Sequence, residues 1–176
     1  MSNTASGSGS GTGLNKAGKS TFMVHVVSQE GSIFEGHATA VFLKGSEGEL
    51  GLYPGHSQLL TQVAPGPMRI QGGVRLNDSS SKSNPNESDI KNDGDDELLF
   101  VSGGILEVQP DCVSVLADTV ERPQDVNEQA AVEAKKRAEE LIAQRGDINY
   151  QKTQRDLAEA MAKLQVLELM RAKKKR

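Results

Sequence analysis

Residues 45–56 read Gly-Ser-Glu-Gly-Glu-Leu-Gly-Leu-Tyr-Pro-Gly-His, with four glycines and one proline in twelve positions. Glycine adopts positive φ at little steric cost and proline fixes φ for a turn, so this stretch predicts several tight turns of defined shape. Apolar runs at 38–43 and 59–63 flank it, which predicts a surface connection between β-strands. Its expected exposed side chains are Glu47, Glu49, Tyr53 and His56. A glycine-rich hairpin without a partner would have the same composition, so this stretch alone does not decide function.

Short β-prone runs separated by turn residues extend on both sides of this stretch, from Thr21 to Ala117. Runs such as Met68-Arg69-Ile70 alternate apolar and polar side chains, which predicts one buried and one solvated face. The run Leu98-Leu99-Phe100-Val101 is apolar on both faces and predicts a central strand. The predicted strands are 22–28, 33–44 with a break at Gly36, 49–52, 58–63, 68–76, 98–102, 105–109 and 112–117. This pattern is typical of an antiparallel β-sandwich or barrel.

The apolar period becomes helical after Asp118 and predicts two helices. The first is expected from about Asp125 to Gly146, and the second from a cap at Asp147 to about Ala172. The predicted apolar stripes are Val126, Ala130, Ala134, Ala138, Leu141 and Ile142 on the first helix, and Leu157, Ala160, Met161, Leu164, Leu167 and Met170 on the second. Since a buried methyl group contributes only about 0.8 kcal/mol, the alanine-rich stripes predict a helical hairpin that detaches readily from the sheet.

The predicted fold class is therefore β plus α, an N-terminal antiparallel β-sandwich followed by a C-terminal two-helix antiparallel hairpin. Residues 21–118 are expected to form the sandwich and residues 119–176 the hairpin. Residues 1–20 are rich in Gly and Ser and predict a disordered tail. Residues 77–96 hold one strongly apolar residue, Ile90, and predict an inserted flexible loop.

The composition argues against several functional classes. The chain of 176 residues has a formal net charge of -4 and only 3% aromatic residues, which disfavours nucleic-acid binding. A single cysteine, Cys112, and three separated histidines predict neither a disulfide framework nor a metal site. No apolar run reaches the roughly 18 to 20 residues of a membrane span, so no direct membrane insertion is expected. Without a catalytic Ser-His-Asp, Cys-His or paired-carboxylate arrangement, the sequence favours a coupling or regulatory protein over an enzyme.

One motif suggests an alternative. Residues Gly13 to Ser20 match the phosphate-binding P-loop pattern G-x-x-x-x-G-K-S, which would make the chain a self-contained nucleotide-binding enzyme. A working P-loop lies between a buried strand and a helix N-terminus. Here a Ser-Gly repeat precedes the motif, and a strand-like run from Thr21 to Val27 follows it. A third hypothesis, a β-sandwich adaptor with unrelated partners, remains open.

Three segments in the same order closely resemble the epsilon subunits of bacterial F-type ATP synthases. They are 46–56, Val101-Ser102-Gly103-Gly104-Ile105-Leu106-Glu107-Val108 and Val115-Leu116-Ala117-Asp118-Thr119. The resemblance extends from about Phe22 to Leu169 without the 77–96 insertion, and the Gly/Ser-rich start and the lysine-rich end depart from it. It implies a non-catalytic central-stalk subunit, peripheral on the cytoplasmic face of the bacterial inner membrane. Such a subunit couples rotation of the c-subunit ring to ATP synthesis through the gamma subunit.

The resemblance also implies contact residues. Those facing the c ring and the foot of gamma would be Glu47, Glu49, Tyr53, Pro54, Gly55 and His56, with Ser28 near gamma. The hairpin would either fold against the sandwich or extend along gamma into the catalytic alpha/beta hexamer, where it blocks ATP hydrolysis. Arg155, Lys163 and Arg171 would then contact acidic surface of the hexamer.

Some members of that family bind ATP on the folded hairpin through a segment of the form Ile/Leu-Asp-x-x-Arg-Ala. The matching residues here are Val126-Asn127-Glu128-Gln129-Ala130-Ala131, which lack both the Asp and the Arg. Their loss removes a base-recognising acceptor and a phosphate-pairing cation, so the sequence predicts no bound cofactor.

Overall fold

A computed structural model of the chain describes residues 13–14, 19–76, 96–143 and 150–174. The helices within these residues are α1 (Glu128–Ala143) and α2 (Tyr150–Lys174). The strands are β1 (Gly13–Leu14), β2 (Ser20–Ser28), β3 (Gly31–Ala38), β4 (Ala40–Gly45), β5 (Gly48–Leu52), β6 (Leu59–Val63), β7 (Gly66–Gln71), β8 (Val74–Arg75), β9 (Glu97–Val101), β10 (Gly104–Val108), β11 (Cys112–Ala117) and β12 (Val120–Glu121). The predicted fold class, a β-sandwich followed by a helical hairpin, is confirmed.

The strands form one hydrogen-bonded path in the order β12-β9-β7-β4-β6-β10-β11-β2-β3-β8, with β5 added to β4 and β1 added to β2. Antiparallel pairs predominate, but β11 and β2 run parallel. Burial alternates along the strands, as in β11, where Val113 and Val115 are buried and Leu116 is exposed. The largest fully buried side chains of the core are Phe22, Phe34, Leu52, Met68, Ile70, Leu99 and Leu106. The core is thus built from aliphatic side chains together with two phenylalanines.

Two predicted strands break at a different place from the one expected, and both errors involve glycine. Gly36 does not break the strand, because β3 is paired on both sides there, with Val24 of β2 and with Arg75 of β8. The break falls at Thr39 instead. The predicted strand 68–76 is two strands, since Gly72 takes a φ of 61° and turns the chain from β7 into β8.

The N-terminal segment does not have the architecture of a P-loop. Gly13–Leu14 pairs antiparallel with Thr21 and Ser20, and Ser20 begins β2, so a strand follows the motif where a P-loop needs a helix. The P-loop alternative is therefore wrong. At Gly13–Leu14 and Ser20 the chain is in strands, in contrast to the predicted disordered tail. The rest of that predicted tail, at 1–12 and 15–18, and the predicted loop at 77–95 lie outside the described residues.

The helical hairpin begins later than predicted. Asp125 belongs to a turn, in which its N–H donates to the Arg122 carbonyl, and α1 starts at Glu128. Asn127 is the N-cap, since its Oδ1 accepts a hydrogen bond from the Ala130 N–H at 3.0 Å. The predicted helix end at Gly146 and cap at Asp147 lie outside the described residues. The sheet also reaches further than the expected boundary at residue 118, because β12 pairs with β9.

The predicted apolar stripes are only partly buried. In α1 the buried residues are Ala131 and Ala138, and in α2 they are Ala160, Ala162, Val166 and Leu167. Leu141 and Met161 are 54% and 51% exposed. A single stripe was the wrong pattern for α2 because this helix has two neighbours. Ala160 faces the groove beside α1, whereas Ala162 and Val166 pack on Phe100 of the sheet.

Candidate interaction surfaces

The stretch at 45–56 is a strand between two turns. Ser46 and Glu47 form the tight turn between β4 and β5, and Glu49 lies opposite Lys44 in the ladder that follows. Both glutamates are exposed. This tip of the β4–β5 hairpin therefore presents two carboxylates to solvent, an arrangement that suits hydrogen-bond donors or cations of a partner.

The turn at Pro54 and Gly55, which follows β5, is held by backbone hydrogen bonds. Gly55 has a φ of 82°, and its N–H donates to the Pro110 carbonyl at 2.7 Å, which ties the turn to the loop between β10 and β11. The His56 N–H donates to the Tyr53 carbonyl at 3.1 Å. Tyr53 is half exposed and meets Phe42 edge-on, with ring centroids 5.9 Å apart. Tyr53 and His56 are thus presented by a turn of fixed geometry.

The two turns lie at opposite ends of β5. A strand of five residues spans about 15 Å, so Glu47 and His56 cannot belong to one small patch. Treating 45–56 as a single surface loop is therefore wrong. The stretch offers two separate contact regions, an acidic tip and an aromatic turn.

A solvent-facing apolar surface lies on the outer side of β6, β10 and β11. Leu60 is 72% exposed, Leu116 58% and Ile105 49%. The strand register brings them to one side, since Ile105 pairs with Gln62 and Leu116, while Leu60 pairs with Glu107. We name this surface the β6–β10–β11 face. Exposed aliphatic side chains that cluster in this way are typical of a protein-binding surface.

Two of the predicted contact residues border the β6–β10–β11 face. Ser28 ends β2, directly after Val27, which pairs with Leu116. His56 lies just before β6, the strand that carries Leu60. Ser28 and His56 thus lie at the margin of one apolar surface. The β4–β5 tip with Glu47 and Glu49 also adjoins β6, since the Ser46 N–H donates to the Gln62 carbonyl at 3.0 Å.

The helical hairpin packs on the sheet through a small apolar cluster, separate from the sandwich core. The cluster comprises Phe100, Val126, Ala162, Val166 and Leu167, with Leu98 packed against it. Phe100 and Leu98 form the second apolar face of β9, which explains why that strand is apolar on both sides. The strand itself lies next to the end of the sheet path, so its predicted central position is wrong.

Ion pairs accompany this apolar contact. Arg155 Nη2 lies 3.5 Å from Asp118 Oδ2, and Lys163 Nζ lies 2.8 Å from Glu121 Oε1. Arg171 pairs with Glu128 at the start of α1. The three cations that sequence reasoning assigned to an acidic partner therefore have acidic partners within the chain.

Lys163 is the best enclosed of these cations. Burial lowers its pKa, but the hydrogen bond and charge of Glu121 and the charge and hydrogen bond of Glu159 raise it, with a net pKa above the ordinary lysine value. A pKa raised in the folded state stabilises that state at every pH below the unfolded lysine pKa. The stabilisation is lost only as the pH rises through the raised pKa, so it is constant across neutral pH.

A groove of about 560 Å³ lies between α1 and α2. Its lining includes four carboxylates, on Glu121, Asp125, Asp156 and Glu159, and two cations, on Arg137 and Lys163. Asn127, which stands where the ATP-binding pattern has Asp, uses its side chain to cap α1. Because its carboxylates outnumber its cations, the groove repels a polyphosphate. That the chain binds no nucleotide there stays a prediction, which this charge balance supports.

In the described part of the chain, no cluster of His, Cys, Asp or Glu side chains has the spacing needed to bind a metal ion. Likewise, neither described helix combines the length and the apolar character that crossing a membrane requires.

Comparison with known proteins gives two family matches that together cover most of the chain. Residues 21–77 and 80–123 match the beta-sandwich domain of the ATP synthase Delta/Epsilon chain. Residues 124–168 match the long alpha-helix domain of the same chain. The border between the two matches follows directly after β12, where the sheet ends.

Two individual proteins agree with these matches. The ATP synthase epsilon chain 2 of Photobacterium profundum is 44% identical over 159 residues, which cover 90% of this chain and 96% of that protein. A chain in the structure of the Euglena gracilis mitochondrial ATP synthase, OSCP/F1/c-ring, superposes with a TM-score of 0.57 at 17% identity. That superposition covers 98% of this chain and 89% of the other, and it is a likeness of fold.

Proposed function

The chain belongs to the ATP synthase delta/epsilon chain family, and we propose that it acts as a non-catalytic central-stalk subunit of an F-type ATP synthase. Its partners are the gamma subunit, the c-subunit ring and the catalytic hexamer. It works at the membrane surface as a peripheral subunit, on the cytoplasmic face of the bacterial inner membrane. Its task is to transmit rotation of the c ring to gamma and to restrain ATP hydrolysis.

The observation that carries this proposal is the β6–β10–β11 face. Leu60, Ile105 and Leu116 project from paired strands of a sandwich with a fully buried core, so the surface is rigid. A rigid apolar surface suits a permanent partner, because little conformational entropy is lost when it docks. We assign gamma to this face, with Ser28 and His56 at its margin.

The acidic tip of the β4–β5 hairpin suits the c ring. Glu47 and Glu49 are exposed and lie about a strand length away from Tyr53 and His56. A contact through exposed carboxylates avoids the cost of burying unpaired charge, and it tolerates a polar partner loop. The stretch at 45–56 thereby serves two partners, gamma at one end and the ring at the other.

The helical hairpin supplies the restraint on hydrolysis. Its apolar contact with the sheet is restricted to one small cluster around Phe100. A hairpin with so little buried apolar area undocks at a small free-energy cost compared with unfolding the sandwich. Once free, α2 presents Arg155, Lys163 and Arg171 to acidic surface of the catalytic hexamer.

Two acidic substitutions test the assignment of gamma. Leu60→Asp with Leu116→Asp is expected to weaken binding to purified gamma by about tenfold or more, because charge then replaces the apolar centre of the contact. Both side chains are more than half exposed, so the thermal stability of the isolated protein should change little. Isothermal titration calorimetry measures the binding.

The matched control is Val132→Asp with Leu141→Asp, which adds the same charge at two similarly exposed positions of α1. It should leave gamma binding within about twofold of the unmodified chain, as expected for sites outside an interface. Equal losses in both variants would refute the assignment of gamma to the β6–β10–β11 face.

A further inference from the structure

Four basic side chains of α2 each reach a different part of the chain. Arg155 contacts Asp118 after β11, Lys163 contacts Glu121 in β12, and Arg171 contacts Glu128 in the first turn of α1. Lys173 Nζ donates to the Asp96 carbonyl at 2.7 Å, just before β9. Ionic and polar contacts therefore follow α2 along most of its 25 residues.

Lys163 lies at the centre of this series. Its ammonium group contacts Glu121 at 2.8 Å and Glu159 at 3.3 Å, and it stands 5.1 Å from the centroid of the Phe100 ring. Its side chain and that of Glu121 are 23% and 25% exposed, so solvent screens this pair less than it screens the others. The Arg155–Asp118 pair is 69% and 57% exposed and is correspondingly weaker.

The three carboxylates come from outside α2. Asp118 and Glu121 belong to the sandwich side of the contact, and Glu128 belongs to α1. The Arg155–Asp118 and Lys163–Glu121 pairs and the small apolar cluster around Phe100 join α2 to the sandwich, while α1 packs beside α2. Removing one carboxylate thus loosens α2 and at the same time leaves a cation of α2 available.

We propose that Asp118 and Glu121 form an internal acidic latch, which occupies Arg155 and Lys163, two of the cations that α2 would offer to an acidic partner. Docking on the sandwich and engagement of the partner then exclude each other, because each cation is paired with one or the other. The partner side of this inference rests on the proposed function. The latch itself is a property of the isolated chain.

Lys163 has two roles, in docking α2 on the sandwich and as a cation that α2 offers to the partner. A charge swap separates them. Glu121→Gln removes the latch and keeps the cation. Lys163→Gln removes both, and Glu121→Lys combined with Lys163→Glu restores an ion pair of opposite polarity but removes the cation from α2. Because a carboxylate at position 163 would repel Glu159, its neighbour at i,i+4, the swap also carries Glu159→Gln.

The state of the latch is read in the isolated protein as the distance between spin labels. Labels at Glu30→Cys on the β2–β3 turn and Ala158→Cys on α2 occupy exposed positions, and Cys112→Ser removes the native thiol. Each single substitution is expected to raise the undocked fraction about three- to tenfold, and the swap should return it to within about twofold of the starting value. Glu139→Gln breaks an ion pair within α1 alone and should change nothing.

The assembled enzyme supplies the second measurement. Glu121→Gln should slow ATP hydrolysis relative to the unmodified enzyme, whereas Lys163→Gln and the swap should both speed it. A swap that stays undocked in the isolated protein would overturn the latch. If the undocked fraction changes as predicted but every variant hydrolyses ATP at the same rate, the proposed inhibitory function is wrong, and so is the competition between the latch and the partner. The latch in the isolated chain would then still stand.

Discussion

Ending the chain after Arg122 is expected to raise ATP hydrolysis by the assembled enzyme about fivefold, at the low end of a typical coupling between two sites. The cut follows β12, the last strand, which ends at Glu121, so the sandwich and its β6–β10–β11 face are retained. Assembly with gamma should therefore be unchanged, while every cation of α2 is gone. The rate is measured on complexes reconstituted with the complete or the shortened chain.

A second truncation separates loss of α2 from loss of the whole hairpin. Ending the chain after Ala143 removes Arg155, Lys163 and Arg171 but keeps α1. It also keeps Val126, which lies just before α1 and packs with Phe100. The same rise in hydrolysis is expected from both truncations. An unchanged rate after Arg122, with normal binding to gamma, would remove the inhibitory role.

Gly104→Ala is expected to destabilise the sandwich by about 4 kcal/mol, a large part of the stability of a domain of this size. Gly104 has a φ of 139°, and a Cβ built there would lie 2.1 Å from the Leu116 carbonyl oxygen and 2.8 Å from Ala117 Cα. These are backbone atoms of the paired strand β11, which cannot move without breaking the ladder. Urea unfolding measures the loss.

Gly31→Ala is the matched control for this substitution. Gly31 also has positive φ, at 123°, but a Cβ there meets no atom within 4 Å. The expected cost is only that of the strained φ, about 1 to 2 kcal/mol. If both substitutions cost the same, the contact with Leu116 is not the reason that position 104 requires glycine.

Much of the architecture could be predicted from local patterns. The alternation in Cys112–Ala117 predicted β11 with its observed bounds, because one face of that strand meets the core and the other meets solvent. The run Leu98-Leu99-Phe100-Val101 correctly indicated burial on both faces. Its second face is covered by α2, a contact between residues far apart in sequence that no local pattern specifies.

The candidate surfaces were harder to predict for the same reason. Leu60, Ile105 and Leu116 each lie beside an apolar residue that faces the core. Two adjacent apolar residues in an otherwise alternating strand were the sequence sign of an apolar outer face. Only the register of three strands shows that they form one surface. Conversely, Glu47 and His56 are close in sequence but separated by a strand, since β5 is extended.

The hairpin was predicted in outline and misjudged in detail. The predicted apolar stripe of α2 was wrong, because that helix divides its apolar residues between α1 and the sheet and meets the sheet through Ala162, Val166 and Leu167. Its ready detachment stays a prediction. The partners of Arg155, Lys163 and Arg171 within the chain were also out of reach of sequence reasoning. Charged residues on a helix carry no sign of which other element supplies the opposite charge.

Cross-linking α2 to the sandwich most directly tests the central claim, that a rigid sandwich stays attached to gamma while the hairpin leaves it to inhibit hydrolysis. Asp118→Cys and Arg155→Cys replace two side chains whose charged ends are 3.5 Å apart, and a short bismaleimide joins them in the assembled enzyme on a Cys112→Ser background. Each single-cysteine variant, treated in the same way, is the control. The account predicts that the cross-link raises ATP hydrolysis as far as truncation after Arg122 does. Full inhibition with the hairpin cross-linked in its docked position would contradict it.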